Sequence, residues 1–234
     1  MELPMSLIER ILIWIFPVVF AITVHEIAHG WAALRLGDQT AIQLGRLSLN
    51  PLRHIDPIGS ILVPGVMLLL PGGLMFGWAK PVPVDTRKLH HPRRDMVIVA
   101  LAGPFSNLLM LLAWAFAMKT GLLLGDLAPG IAWALTHMGA AGIIINAILM
   151  MLNLLPVPPL DGSQVVAGLL PPTWAYHYQQ LGRYGLIILI LLLASGILSI
   201  VLWPLLSLAI AGGLLAANIS PEALNSATKL LFGG

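Results

Sequence analysis

The sequence Val24-His-Glu-Ile-Ala-His-Gly30 stands inside an apolar run that extends from Leu7 to Leu34. About 20 predominantly apolar residues are enough for a helix to cross the hydrocarbon core of a bilayer. The run therefore predicts a membrane-spanning helix with three ionisable side chains in its interior. Each charged group at such a depth costs about 3 kcal/mol on insertion scales, so three of them on adjacent turns indicate a function.

The composition of the whole chain is that of a membrane protein. Of 234 residues, 58% are hydrophobic and 9% are charged, whereas soluble domains contain about 25% charged residues. The mean hydropathy is +0.92. No stretch reaches the roughly 50 polar residues that an independent soluble domain needs. We predict one integral-membrane domain over residues 1–234, with a core at 7–170.

Charge and cysteine content restrict the partners and the metal chemistry. The net charge is only +2, so we expect the lipid bilayer as a partner and no nucleic acid. The chain has no cysteine, which excludes thiolate metal sites. Any bound metal must be held by histidine, aspartate or glutamate.

Apolar runs predict an all-α polytopic membrane protein. Three spans are expected, at 7–34, 96–118 and 131–155. Residues 184–217 predict one helix kinked at Pro204 or, preferably, a hairpin of two short C-terminal spans. An amphipathic tail helix is expected at 220–232. Between spans one and two, we predict a small membrane-associated β/re-entrant segment, with a strand at 45–50 and a re-entrant loop at 61–70.

The distribution of positive charge predicts the orientation. Most lysines and arginines lie between spans one and two: Arg35, Arg46, Arg53, Lys80, Arg87, Lys88, Arg93 and Arg94. By the positive-inside rule this segment is cytoplasmic. We therefore expect a multi-pass protein of the cell membrane with its N-terminus outside and the histidines near the cytoplasmic side.

The spacing of His25 and His29 is that of two metal ligands on one helical face. Glu26 is about 100° further round the helix, which suits a base beside the metal rather than a third ligand. The best third ligand is Asp161, which follows three prolines and precedes Gly162 at the end of span three. The alternative for Asp161 is a carboxylate that caps a turn.

These motifs together resemble the site-2 protease family of intramembrane zinc metalloproteases. The resemblance is carried by the pairing of His25-Glu-x-x-His29 with Asn153-x-x-Pro156-x-x-x-Leu160-Asp161-Gly162, and covers about residues 20–170. Further similar segments are Gly103-Pro-Phe-Ser-Asn107, Gly45-Arg-Leu-Ser-Leu-Asn50-Pro51 with His54 and Asp56, and Gly77-Trp-Ala-Lys-Pro-Val-Pro83.

The resemblance implies a three-span catalytic core in which His25, His29 and Asp161 hold one Zn²⁺ and Glu26 is the catalytic base. It implies regulated intramembrane proteolysis, with an extended membrane-spanning protein substrate, such as an anti-sigma factor, beside a small sheet. It also implies a minimal prokaryotic form without a PDZ or CBS domain. The oligomeric state is not predicted.

Several residues keep two interpretations. Asn153 is either an oxyanion donor or a cap on span three, and Asn107 is either a contact between helices or a substrate contact. His54 either lines the substrate entry or belongs to a solvated turn. Two other functions also remain open: a metal-ion transporter or channel, in which intramembrane His and Asp mark an ion path, and an inactive scaffold that binds membrane helices.

Overall fold

The computed structural model describes residues 5–62 and 79–232, and this part of the chain is helical without strands. Residues 5–62 and 79–232 contain nine α-helices: α1 Leu7–Arg35, α2 Thr40–Gln43, α3 Pro92–Leu124, α4 Pro129–Asn153, α5 Asp161–Leu169, α6 Pro172–Gln180, α7 Gly185–Ala194, α8 Ile197–Ala216 and α9 Pro221–Phe232. Short 3-10 turns lie at Pro51–Arg53, Thr86–Lys88, Gly125–Leu127 and Leu181–Tyr184, and a π-helical turn lies at Pro57–Leu62.

Four of the described helices, α1, α3, α4 and α8, are long and apolar enough to cross a bilayer. The all-α membrane fold predicted from the apolar runs is confirmed, including the three spans of the core. Helix α3 is longer than predicted at both ends. It begins at Pro92, which needs no backbone donor in the first turn, and Asp95 accepts from the N–H of His91 there. It ends at Leu124, because the next residue, Gly125, has a φ of 41° that breaks the helix.

Small residues let α3 and α4 pack closely, as is common between membrane helices. A Cβ on Gly121 would lie 2.7 Å from the backbone nitrogen of Thr136, and one on Gly139 would lie 2.7 Å from that of Met118. Gly142 likewise lies against the ring of Trp114. This close approach brings polar side chains of the two helices into direct contact in the interior.

The strand predicted at 45–50 is wrong. These residues form turns and irregular backbone, with a positive φ of 63° at Gly45 and the side chain of Arg53 bonded to the carbonyl of Gly45. Asn50 caps the following 3-10 turn by accepting from the N–H of Leu52. The described residues offer no neighbouring strand for pairing, and a lone strand has no ladder to stabilise it. Most of the predicted re-entrant loop, from residue 63 onward, lies outside the described residues.

The C-terminal apolar segment is divided at Gly196 and not at Pro204. Gly196 has a left-handed φ of 76°, which ends α7 and starts α8, while Pro204 lies inside α8. At about 1.5 Å per residue, α7 is too short to span a bilayer, whereas α8 has spanning length. The tail forms helix α9, whose apolar residues Leu224, Ala227 and Leu231 are buried in the core that includes α4.

Candidate metal centre

Helix α1 places the side chains of His25 and His29 one turn apart on the same face. Their rings are nearly perpendicular, with centroids 4.6 Å apart. The two Nε2 atoms are 3.1 Å from each other. Nδ1 of His29 lies 2.7 Å from the carbonyl oxygen of Val99 on α3, and Nδ1 of His25 lies 2.6 Å from Oδ1 of Asn107. The Nδ1 atom of each imidazole therefore has a hydrogen-bond partner on α3.

Asp161 is the first residue of α5, the helix that follows α4 in the sequence, and its side chain faces the two histidines of α1. Its Oδ2 lies 3.3 Å from Nε2 of His25 and 3.3 Å from Nε2 of His29. The turn before it is tight, because a Cβ on Gly162 would meet the backbone carbonyl groups of Leu154 and Leu155. Gly162 thus lets the chain fold back so that a carboxylate 132 positions away from His29 in the sequence faces both rings.

Nε2 of His25, Nε2 of His29 and Oδ2 of Asp161 face one another. These three facing atoms have the geometry and the chemistry of a zinc site. Zinc bonds of about 2.0–2.1 Å in a tetrahedron place ligand atoms about 3.3 Å apart, close to the 3.1 and 3.3 Å measured between these atoms. The carbonyl of Val99 can only accept, so Nδ1 of His29 carries the proton and Nε2 is left as a lone pair. Oδ2 of Asp161 is buried and has no hydrogen-bond donor among the described residues. Converging lone pairs of this kind fit a cation.

Glu26 projects from α1 toward the segment at 79–85, which precedes α3. Its Oε2 accepts a hydrogen bond from the backbone N–H of Val82, at 2.7 Å. Arg46 donates to the carbonyl of Lys80 and so fixes the same segment. The carboxylate of Glu26 is therefore anchored by main chain and is not part of the cluster of three facing atoms.

Comparison with known proteins then identifies relatives that carry names of zinc metalloproteases. The chain is 37% identical over 205 residues to YwhC of Bacillus subtilis (strain 168), which covers 87% of this chain and 89% of that protein. It is 29% identical over 199 residues to Rip2 of Mycolicibacterium smegmatis, covering 82% and 70%. It is 31% identical over 173 residues to Rip2 of Mycobacterium tuberculosis (strain H37Rv), covering 74% and 62%. The chain belongs to the site-2 protease family of zinc metalloproteases.

No family model and no solved structure matches the chain. In this chain the histidine pair lies on the first span and the aspartate follows the third.

The small-residue motif of α3 contacts the histidine pair directly. A Cβ on Gly103 would lie 2.6 Å from Cε1 of His25 and would collide with Nε2 of His29. Position 103 in this site-2 protease therefore requires glycine because the imidazoles occupy the space where a side chain would be. Four residues later, Asn107 is fully buried and has its amide engaged by His25 and Asn146. The structure thus places Asn107 behind the histidine.

Two other candidates form hydrogen bonds with main-chain carbonyl groups. Asn153, in the last turn of α4, donates to the carbonyl of Leu149 at 2.9 Å. His54 is buried, and its Nε2 lies 2.9 Å from the carbonyl oxygen of Ser48. His54 therefore belongs to the packed loop between α2 and α3 rather than to a solvated turn. Asp56 accepts from the N–H groups of Ile58 and Gly59 and starts the π-helical turn.

Sequence reasoning missed the hydrogen-bond partners that orient the histidines and Glu26. The carbonyl of Val99 and the N–H of Val82 are backbone groups, so no side chain in the sequence marks them. The sequence shows Asn146 only as a polar residue in an apolar span, and nothing in the sequence indicates its connection to His25 through Asn107.

Proposed function

We propose that this protein is an intramembrane endopeptidase of the H-E-x-x-H type that cleaves membrane-embedded protein substrates. The observation that carries the proposal is the convergence of Nε2 of His25, Nε2 of His29 and Oδ2 of Asp161 next to a helix of membrane-spanning length. Three protein ligands with a further open position are the pattern of catalytic, as opposed to structural, zinc sites. One Zn²⁺ per chain is the stoichiometry expected for one such cluster.

The chemistry divides between the metal and the protein. A zinc ion in this position supplies a water of lowered pKa and polarises the scissile carbonyl. Glu26 accepts the proton from the attacking water on its carboxylate and delivers it to the nitrogen of the leaving amine. The N–H of Val82, bonded to Oε2 of Glu26, orients the carboxylate during both transfers. Asn153 remains a candidate donor to the oxyanion, provided that its amide leaves the carbonyl of Leu149.

The substrate class follows from the setting of the site. The histidines lie within α1, six and ten positions before its last residue, Arg35, which corresponds to a depth of about 9–15 Å at 1.5 Å per residue. With the basic segment between α1 and α3 in the cytoplasm, the site lies near the cytoplasmic side of the cell membrane and the N-terminus lies outside. A spanning protein that locally unwinds there, such as an anti-sigma factor, is the expected substrate in regulated intramembrane proteolysis.

Glu26→Gln tests the function. The variant should bind zinc like the wild type but should no longer generate fragments of membrane proteins when the two chains are expressed in otherwise identical cells. General-base catalysis contributes about 10²–10⁴-fold, so residual cleavage should fall at least 100-fold. Unchanged cleavage by Glu26→Gln would refute the proposal. Zinc-dependent transport that survives in this variant would instead favour a transporter, and helix binding without cleavage in either chain would favour a scaffold.

A further inference from the structure

Two buried asparagines connect the main chain of α4 to His25. Nδ2 of Asn146 donates to the carbonyl of Gly142 at 2.8 Å. Oδ1 of Asn146 accepts from Nδ2 of Asn107 at 2.9 Å. Oδ1 of Asn107 lies 2.6 Å from Nδ1 of His25. Both asparagine side chains are completely inaccessible to solvent, so water does not compete for these bonds.

The carbonyl of Gly142 sets the direction of every hydrogen bond in the series that runs through Asn146 and Asn107 to His25. The carbonyl of Gly142 can only accept, so the amide of Asn146 must turn its nitrogen toward Gly142 and its oxygen toward Asn107. Asn107 must then present its nitrogen to Asn146 and its oxygen to His25. Since that oxygen accepts, Nδ1 of His25 carries the proton.

The consequence at the metal centre concerns the opposite nitrogen of the ring. In a neutral imidazole with the proton on Nδ1, Nε2 is an unprotonated lone pair. The Nε2 atom of His25 is the one that faces His29 and Asp161. If the amide of Asn107 were reversed, its NH₂ group would favour the other tautomer, and Nε2 would present a hydrogen to the site.

We propose that Asn146, which is hydrogen-bonded to Gly142 and Asn107, is a positioning residue that fixes the metal-binding tautomer of His25 through Asn107. The inference rests on the proposed function for the identity of the metal centre. It goes beyond a contact between helices, because a purely structural hydrogen bond would leave the tautomer of His25 and the zinc affinity unchanged when it is removed.

Zinc affinity of the purified full-length protein, measured by competition with a chelator, tests the inference first. Asn146→Leu should weaken zinc binding by about 10- to 100-fold, the usual effect of removing an outer partner of a metal-ligating histidine. Asn146→Asp should retain the affinity, because a protonated carboxyl at this buried position can still donate to the carbonyl of Gly142 and accept from Asn107. Ser106→Ala is the matched control: Ser106 is buried on α3 next to Asn107, and its hydroxyl donates to the carbonyl of Gly103 within the same helix. This control should bind zinc like the wild type.

The relay is the series of hydrogen bonds from Asn146 through Asn107 to His25. It is tested by measuring whether the effects of substituting Asn107 and Asn146 on zinc affinity are additive. Asn107→Asp offers His25 an acceptor whichever way the group is turned, so Asn146 has no orientation left to impose. The double variant Asn107→Asp with Asn146→Leu should therefore bind zinc as tightly as Asn107→Asp alone. An additional loss equal to that of Asn146→Leu in the wild-type background would contradict the relay. Where the leucine does not fit, Asn146→Ala provides the same comparison.

The tautomer can be read without zinc, from the ¹⁵N chemical shifts of the histidine ring nitrogens in the metal-free protein. The wild type should show His25 with its proton on Nδ1, and Asn146→Leu should show a mixture of both tautomers. An unchanged tautomer and zinc affinity in Asn146→Leu would overturn the inference. A wild type that binds no zinc would refute the metal centre instead, and the tautomer comparison would still decide the role of Asn146.

Discussion

Oε2 of Glu26 and the backbone nitrogen of Val82 are 2.7 Å apart and hydrogen-bonded, although 56 residues separate them in the sequence. Val82 is itself fixed against α1, since its side chain is buried and a Cβ on Gly30 would lie 2.8 Å from its Cγ1. The proposed catalytic base therefore takes its orientation from a segment outside the spans of the core. Movement of residues 79–85 would release the carboxylate.

Val82→Pro should lower turnover without removing zinc. Proline has no N–H, so Oε2 of Glu26 loses its donor while all three proposed ligands remain. We expect kcat to fall by about 10-fold or more, a part of the 10²–10⁴-fold that a positioned base contributes. Val82→Ala is the control, because it shortens the side chain and keeps the N–H. Cleavage of a membrane-protein substrate by Val82→Pro at the rate of Val82→Ala would show that the bond does not matter for catalysis.

Gly103→Ala should displace the histidine pair. The added methyl would lie 2.6 Å from Cε1 of His25 and would collide with His29, so one of the rings must leave its position. Zinc affinity should fall at least 10-fold, as measured by chelator competition, while the helical content stays the same. Gly212→Ala on α8 is the control, because among the described residues nothing outside the adjacent part of its own helix lies within 4 Å of the added methyl. Equal zinc affinity in both variants would contradict the close approach of α3 to the rings.

Local spacing made part of the site predictable. His25 and His29 share a face because a helix repeats every 3.6 residues, and Asp161 stood out as a carboxylate on backbone broken by prolines. The remaining contacts depend on how helices approach each other, which spacing does not determine. The orientation of Asn107 follows from a carbonyl on α4, and the anchoring of Glu26 follows from a backbone N–H in the loop before α3.

The two errors in the predicted fold, the strand at 45–50 and the break at Pro204, also arose where a local sequence signal did not determine the structure. Alternation over 45–50 favoured a strand, but a strand needs a partner, and the described residues supply none. Pro204 suggested the break in the C-terminal segment, yet a helix in a membrane tolerates a proline when neighbouring groups compensate for the lost bond. Gly196 breaks the segment because it adopts a left-handed φ at little cost.

Asp38→Asn should destabilise the protein in a pH-dependent way. Burial of Asp38 raises its pKa, but hydrogen bonds from Thr40 and from the N–H of Asp85, together with the charge of Lys88, outweigh burial and lower the pKa below its usual value. A carboxyl whose pKa is lower in the folded state stabilises the fold above its unfolded pKa of about 3.9 and loses this contribution as the pH falls through the folded value.

The melting temperatures of the wild type and of Asp38→Asn test whether folding lowers the pKa of Asp38. At pH 7 the wild type should melt at a higher temperature than Asp38→Asn, and the difference should shrink below about pH 4 as the wild-type carboxyl becomes protonated. Other carboxyls titrate in the same range, but they are common to both chains and cancel in the difference. A difference that grows in acid would mean that the pKa of Asp38 is raised rather than lowered.

Removal of the metal should destabilise the wild type more than a variant of the cluster. Without a cation, the lone pairs of His25, His29 and Asp161 face one another at 3.1–3.3 Å. Free zinc at 1,000 times its Kd would stabilise the folded chain by about 4 kcal/mol, so a chelator should lower the melting temperature. Asp161→Asn should show little response to zinc, because a neutral amide replaces one of the three proposed ligands. Glu26→Gln should retain the full response. A wild-type melting temperature that is indifferent to chelator and zinc would contradict the assignment of these three residues as ligands.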